Sequence, residues 1–125
     1  MSTLVVSNIS DGTTTVGASY VTNGSAKSLL RYEQYLAVGV LNSFNVSSVT
    51  DQATGNWYQN LTSSLANNNF MGAGVGREIN SNSTINLLGC DYDGSTASQV
   101  RWWNIQEDAG AEDNENSCCV FGDLA

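Results

Sequence analysis

The apolar residues of this 125-residue chain fall in short runs, separated by Asx-Gly pairs and Ser/Asn-rich breaks. Leu4, Val5, Val6 and Ile9 predict a strand over residues 2–9, and Asp11-Gly12 marks a turn after it. Residues 13–20 are small or β-branched, and Asn23-Gly24 marks a second turn. Residues 1–27 therefore read as an arm or hairpin ahead of a main body, residues 28–125. In that body the dominant period is two. Trp57, Gln59 and Leu61 alternate with Tyr58 and Asn60, which places the first three on one face of a strand over 56–61. A turn cluster at 51–55 joins it to the run holding Phe44, Val46 and Val49, and Val38, Val40 and Leu41 precede that run, so a hairpin is expected here.

Beyond a polar loop at 63–69, residues 71–75 alternate with glycine, which suits a strand with close neighbours or a bulge. An Asn/Ser-rich turn follows at 78–84. Residues 84–90 and 98–105 read as paired strands around a loop at 91–97, and an acidic loop at 106–116 precedes a last strand at 117–121. Only residues 28–36 break the pattern. Leu29, Leu30, Glu33 and Leu36 fit a helical face, but the run also fits an irregular strand and is too short to decide. Repeated short strands with turn signals predict an all-β, antiparallel, sandwich-like domain or a compact β-prism-like unit, with no internal repeat of fixed period.

Composition strengthens that reading. Only 13% of the residues are charged, against roughly 25% in ordinary soluble domains, so there is little to furnish exposed helix faces. A domain of this length buries a modest share of its surface, and an elongated one would lean on partner chains. The net charge of −8 repels phosphate, and Lys27, Arg31, Arg77 and Arg101 form no run, so neither nucleic acid nor an anionic membrane is an expected partner. The first residues carry neither a basic start nor a continuous apolar run, so no secretory leader and no membrane insertion are expected, and the chain is expected to be made in a cytoplasm.

Little of the sequence is equipped for chemistry. With no histidine, Ser-His-Asp and Cys-His arrangements are impossible. Asp91 with Asp93, or Glu107 with Asp108, are the carboxylate pairs available for glycoside cleavage, but so short a chain has little scaffold for a cleft, and no catalytic residue is assigned. Asp91-Tyr92-Asp93-Gly94-Ser95 has the flavour of a calcium loop without its closing glutamate, which makes Asp91 and Asp93 the candidate metal ligands. A solvated charged turn explains them, and the acidic residues at 107–115, without a cation. No cofactor is expected. Cys90, Cys118 and Cys119 lack zinc spacing, and strand neighbours such as Cys118 and Cys119 point to opposite faces, so reduced, mostly buried thiols are expected. The aromatic residues remain. Trp57, Tyr58, Trp102 and Trp103, with Tyr32 and Tyr35, are candidates for receptor or subunit contact, and core packing is the competing role. Trp102 and Trp103 face opposite ways on a strand, so at most one joins a given core.

Three blocks resemble a known group. The opening MSTLVVSNISDGTTTVGASYVTNGSAK, the central LNSFNVSSVTDQATGNWYQNLTSSLANNNF and the closing EDNENSCCVFGDLA together cover a little over half the chain. They resemble small bacteriophage structural proteins and tail-fibre segments of marine and cyanobacterial viruses. The chain departs from that pattern at 28–34, where such proteins carry Ala-Trp-Val-Asn-Phe and a Gly-rich turn, and at Trp102-Trp103 and Cys118-Cys119. The resemblance implies a virion component assembled in the host cytoplasm: a homotrimeric fibre or adhesin module that contacts other virion proteins and a host-surface glycan or protein. A capsid decoration or head-fibre protein and a small glycan-degrading tailspike module are the alternatives.

Overall fold

The computed structural model describes residues 3–36, 38–77, 85–106 and 110–125. The turn expected at 78–84 and the residues Glu107 and Asp108 lie outside them. The elements are β1 (Asn8–Ser10), β2 (Thr15–Gly17), α1 (Ala18–Gly24), β3 (Ser28–Glu33), β4 (Gly39–Phe44), β5 (Val46–Ala53), β6 (Asn56–Leu61), β7 (Met71–Arg77), β8 (Ile85–Thr96), β9 (Gln99–Gln106), β10 (Gly110–Ala111) and β11 (Glu115–Phe121). The protein is all-β and its described pairings are antiparallel, as the alternation predicts.

β1 and β2 form a small sheet of their own, and the other strands form one sheet in the order β4-β3-β11-β7-β8-β9-β6-β5, with β10 added against β9. The two strands at the ends of that order, β4 and β5, are consecutive in the chain and meet at the single residue Asn45. The sheet therefore curls into a nearly closed barrel whose two halves face each other across one interior. Asn45 makes the corner. Its φ of 55° is one that asparagine tolerates better than most residues. Its Nδ2 donates to the carbonyls of Lys27 and Ser63, and its Oδ1 accepts from the Ser63 N–H at 2.7 Å. At the other end of the seam, Gln34 Nε2 donates to Asp51 Oδ1 and to the Ala53 carbonyl, tying the end of β3 to β5.

The interior is filled from both halves. Leu30 and Tyr32 of β3, Trp57 and Leu61 of β6, Val100 and Trp102 of β9, and Cys118 and Val120 of β11 are all buried. Tyr32 meets Trp57 at 5.1 Å between ring centroids, and Trp57 stacks on Trp102 at 5.9 Å. Because β3 and β6 are not neighbours in the sheet, the first of these contacts crosses the barrel. The glycine alternation in β7 provides the room. A Cβ on Gly72 would stand 2.9 Å from the Trp102 ring and 2.8 Å from the Cys90 Cβ, and one on Gly76 would stand 2.9 Å from the Asn104 amide. The core is also partly polar. Buried Gln59 donates to Ser28 Oγ, and its Oε1 accepts the Trp102 indole N–H at 3.0 Å. Asn104 donates to Asn116 Oδ1 at 2.8 Å, and Asn116 in turn donates to the Asn114 carbonyl. Such bonds offset much of the cost of placing amides away from water.

Several elements differ from expectation. Of residues 28–36, the first six form the strand β3 and the rest belong to the connection after it: pairing on both sides, with β4 and with β11, overrides the short helical pattern and buries Ser28, Leu30 and Tyr32 on alternate positions. Asn23-Gly24 ends the seven-residue helix α1 where a hairpin turn was expected, and Ser25, in extended conformation, caps it by donating its N–H to the Val21 carbonyl. The loop expected at 91–97 belongs to β8, which runs irregularly to Thr96 and turns only at 97–98. Within the expected acidic loop, Gly110 and Ala111 pair with Gln106 and Ile105 of β9. β5 likewise extends to Ala53 before a turn at Gly55, whose φ of 65° and tight approach to the Asn104 carbonyl leave no space for a side chain.

Candidate functional site

With one face of the barrel wall packed inward, the opposite face of the same strands carries whatever the molecule presents. Strand register places Asn56 opposite Trp103, Tyr58 opposite Arg101, and Asp91 opposite Arg101, so these side chains share the outer face of β6, β9 and β8. Arg101 is their centre. Its guanidinium carbon lies 5.0 Å from the centroid of the Trp103 ring and 5.7 Å from that of Tyr58. Its Nη1 is 3.2 Å from Asp91 Oδ2, and its Nε donates to Asn56 Oδ1 at 3.1 Å. The indole N–H of Trp103 also donates to Asp91 Oδ2, at 3.3 Å.

Asp91 is held from its own strand as well. The Gly94 N–H donates to its Oδ1 at 3.0 Å, and that bond, with help from Trp103 and Arg101, keeps the carboxyl below the usual carboxylate range. The Asp91 carbonyl accepts from Ser95 Oγ, which itself accepts the Arg101 backbone N–H. A Cβ at Gly94 would press 2.5 Å from Arg101 Cδ and 2.8 Å from Asp91 Oδ2, so glycine is what allows the irregular turn of β8 to close over the pair. The Asp-x-Asp-Gly run thus has a protein partner: Asp91 spends its oxygens on Arg101, Trp103 and Gly94. Asp93 stands exposed, and no cluster of three or more His, Cys, Asp or Glu suited to a metal ion occurs among the described residues.

The six aromatic candidates divide three ways. Trp57 and Trp102 are 0% exposed and Tyr32 2%, so these three form the interior stack and offer no surface in this chain to a receptor. Burial, with the Asp51 and Asp113 carboxylates nearby, pushes the Tyr32 hydroxyl up to about 12. Tyr58 and Trp103 come together around Arg101. Tyr35 is half-exposed in the connection after β3. Sequence reasoning missed Arg101 and Asn56. The signal for Arg101 was present: on the strand 98–105, residues 101 and 103 share the face opposite Trp102.

A second outer feature is apolar. Phe44, Leu29, Cys119 and Ala73 are successive cross-strand neighbours over β4, β3, β11 and β7, and Phe121 pairs with Met71 beside them. Val75 of β7 is 65% exposed, and Leu87 of β8, paired with Ile105 of β9, is 68% exposed. An open groove of about 440 Å³ runs along this wall, lined by Leu29, Ala73, Val75, Ser117 and Cys119. The three cysteines are free. Burial raises the thiols of Cys118 and Cys90, the latter to about 11 with Asp91 adding to the effect, whereas Cys119 lies on the outer wall with its Sγ against the Ala73 carbonyl.

No family model, no curated protein and no solved structure matches the chain.

Proposed function

We propose that the chain is a non-enzymatic structural module of a bacteriophage particle, a fibre or adhesin unit that assembles as a homotrimer and meets the host surface. The apolar outer wall is the observation that carries this reading. A small barrel with a packed interior has no need of large exposed apolar residues on its other face, and contiguous patches of that kind mark interaction surfaces. The sequence blocks that resemble virion proteins supply the kind of particle.

The Tyr58–Arg101–Trp103 cluster is the surface suited to host contact. Its rings are held in place by Arg101, which Asp91 and the buried Asn56 fix from behind, so that two ring faces and a guanidinium stand side by side on the outer wall, a combination that suits a sugar or a protein receptor. Avidity follows from repetition around a threefold axis, since linked weak sites bind far more tightly than one.

Quantitative mass spectrometry of purified virions, with copies counted per particle, tests the proposal. Tens of copies fit a fibre or adhesin. Hundreds would replace it with a decoration protein, and absence from the particle would end it.

A further inference from the structure

The segment before β1 is the counterpart of the apolar wall. Leu4 and Val5 are 83% and 89% exposed, and Val6 and Ile9 are exposed as well. They lead into a sheet of two three-residue strands, β1 and β2, too small to be stable without a further layer. The arm is anchored to its own barrel at Lys27, whose N–H donates to the Val120 carbonyl. In the same copy both the segment and the groove stand open.

We propose that residues 3–10 of one copy lie in the outer-wall groove of a second copy, against Leu29, Ala73, Val75 and Cys119. This rests on the assembly reading above and names the surfaces that assemble. Three arguments select a second copy as the occupant. The first is charge. Two chains of −8 repel, yet Asp11 is the only charged residue among the first 26, and residues 3–10 carry none. The groove residues are uncharged too, so the contact joins the pieces of each copy that repel least. The second is area. Leu29, Phe44, Met71, Val75, Leu87 and Ile105 are each about half to two-thirds exposed, and together they supply a substantial part of the roughly 800 Å² per partner that a standard interface takes. The third is reach. Eight extended residues span about 26 Å, whereas the row from Phe44 to Ala73 crosses four strands, about 14 Å. The β-branched Val5, Val6 and Ile9 also suit an extended segment laid on a pleated surface.

Cys119 provides the probe. In the full chain carrying Val5→Cys, mild oxidation or a short bismaleimide should give intermolecular crosslinks that run as dimers and larger species on a non-reducing gel. The crosslinks should vanish when Cys119→Ser is added. Crosslinks of equal yield without Cys119 would overturn the proposal, because the segment would then meet something other than this groove. Light scattering gives a second readout. Val75→Asp, an outward substitution, should leave the far-UV spectrum unchanged and dissociate the wild-type oligomer, as should deletion of residues 3–10. Dissociation by Val75→Asp but not by the deletion would show that the wall joins copies without the arm, and would also overturn it. A wild-type chain that stays monomeric over about a hundredfold range of concentration would do the same. The particle reading would still stand or fall on copy number alone.

Discussion

Trp102 and Trp103 are adjacent in the chain and live in different regimes. Trp102 faces inward, fully buried, stacked on Trp57, bonded to Gln59 and pressed toward Gly72, where one added carbon has no place. Trp103 faces outward, partly buried, and is held by a guanidinium and a carboxylate. The inner face of the barrel is governed by volume, and the outer cluster by charge and ring faces in contact with solvent. Inner substitutions should therefore act on stability. Outer ones should cost the fold little and, on the proposed role of the cluster, act on host contact.

The largest effect expected is on the inner face. Trp102→Ala should lower unfolding free energy by about 3–5 kcal/mol, read from chemical denaturation, because it opens a cavity and leaves Gln59 Oε1 with only the weak thiol donor of Cys118. A loss under ~1 kcal/mol would mean that the interior is not packed as described. Gly72→Ala should cost about 1–3 kcal/mol by overpacking against Cys90 and Trp102. A neutral result would show that β7 can shift outward.

pH separates the two faces next. Tyr32, Cys90 and Cys118 all ionise at higher pH in the folded protein than their ordinary values of 10, 9 and 9. Folding favours their protonated forms, so their contribution is fully present below about pH 9 and is lost as pH rises through about 11 to 12. Denaturation midpoints should hold steady from pH 7 to about 9 and then fall, and Tyr32→Phe should flatten the part of the fall above about pH 10. Asp91 acts in the other direction. Its lowered carboxyl contributes above its ordinary value of 3.8, and that contribution is lost as pH falls below it.

The smallest effect on stability should come from the outer cluster. Trp103→Ala removes one ring face from Arg101 and should cost about 1 kcal/mol or less in thermal unfolding, since the guanidinium keeps Tyr58, Asp91 and Asn56. The same variant should lose most of its binding to host-envelope material in a pull-down. A destabilisation as large as that of Trp102→Ala would erase the contrast between the faces.

Much of this contrast was legible in the sequence. A period of two at 56–61 assigned Trp57, Gln59 and Leu61 to one face, and adjacency alone separated Trp102 from Trp103. The glycine alternation at 71–75 pointed to a strand with close neighbours or a bulge, of which the first is found, and the shortage of charged residues with frequent turn signals announced an all-β chain. These are local properties, carried by neighbours along the chain.

What the sequence could not supply was which face closes on itself. Alternation defines two faces without saying which is inside; that was decided when β4 and β5 met at Asn45 and brought β3 opposite β6. The final strand β11 enters between β3 and β7, and this pairing is what makes residues 28–33 a strand. Arg101 became a site residue only when Asn56, 45 positions away, came alongside it. Each of these outcomes rests on contacts between distant segments, whose free energy depends on closing the barrel and appears in no local run of residues.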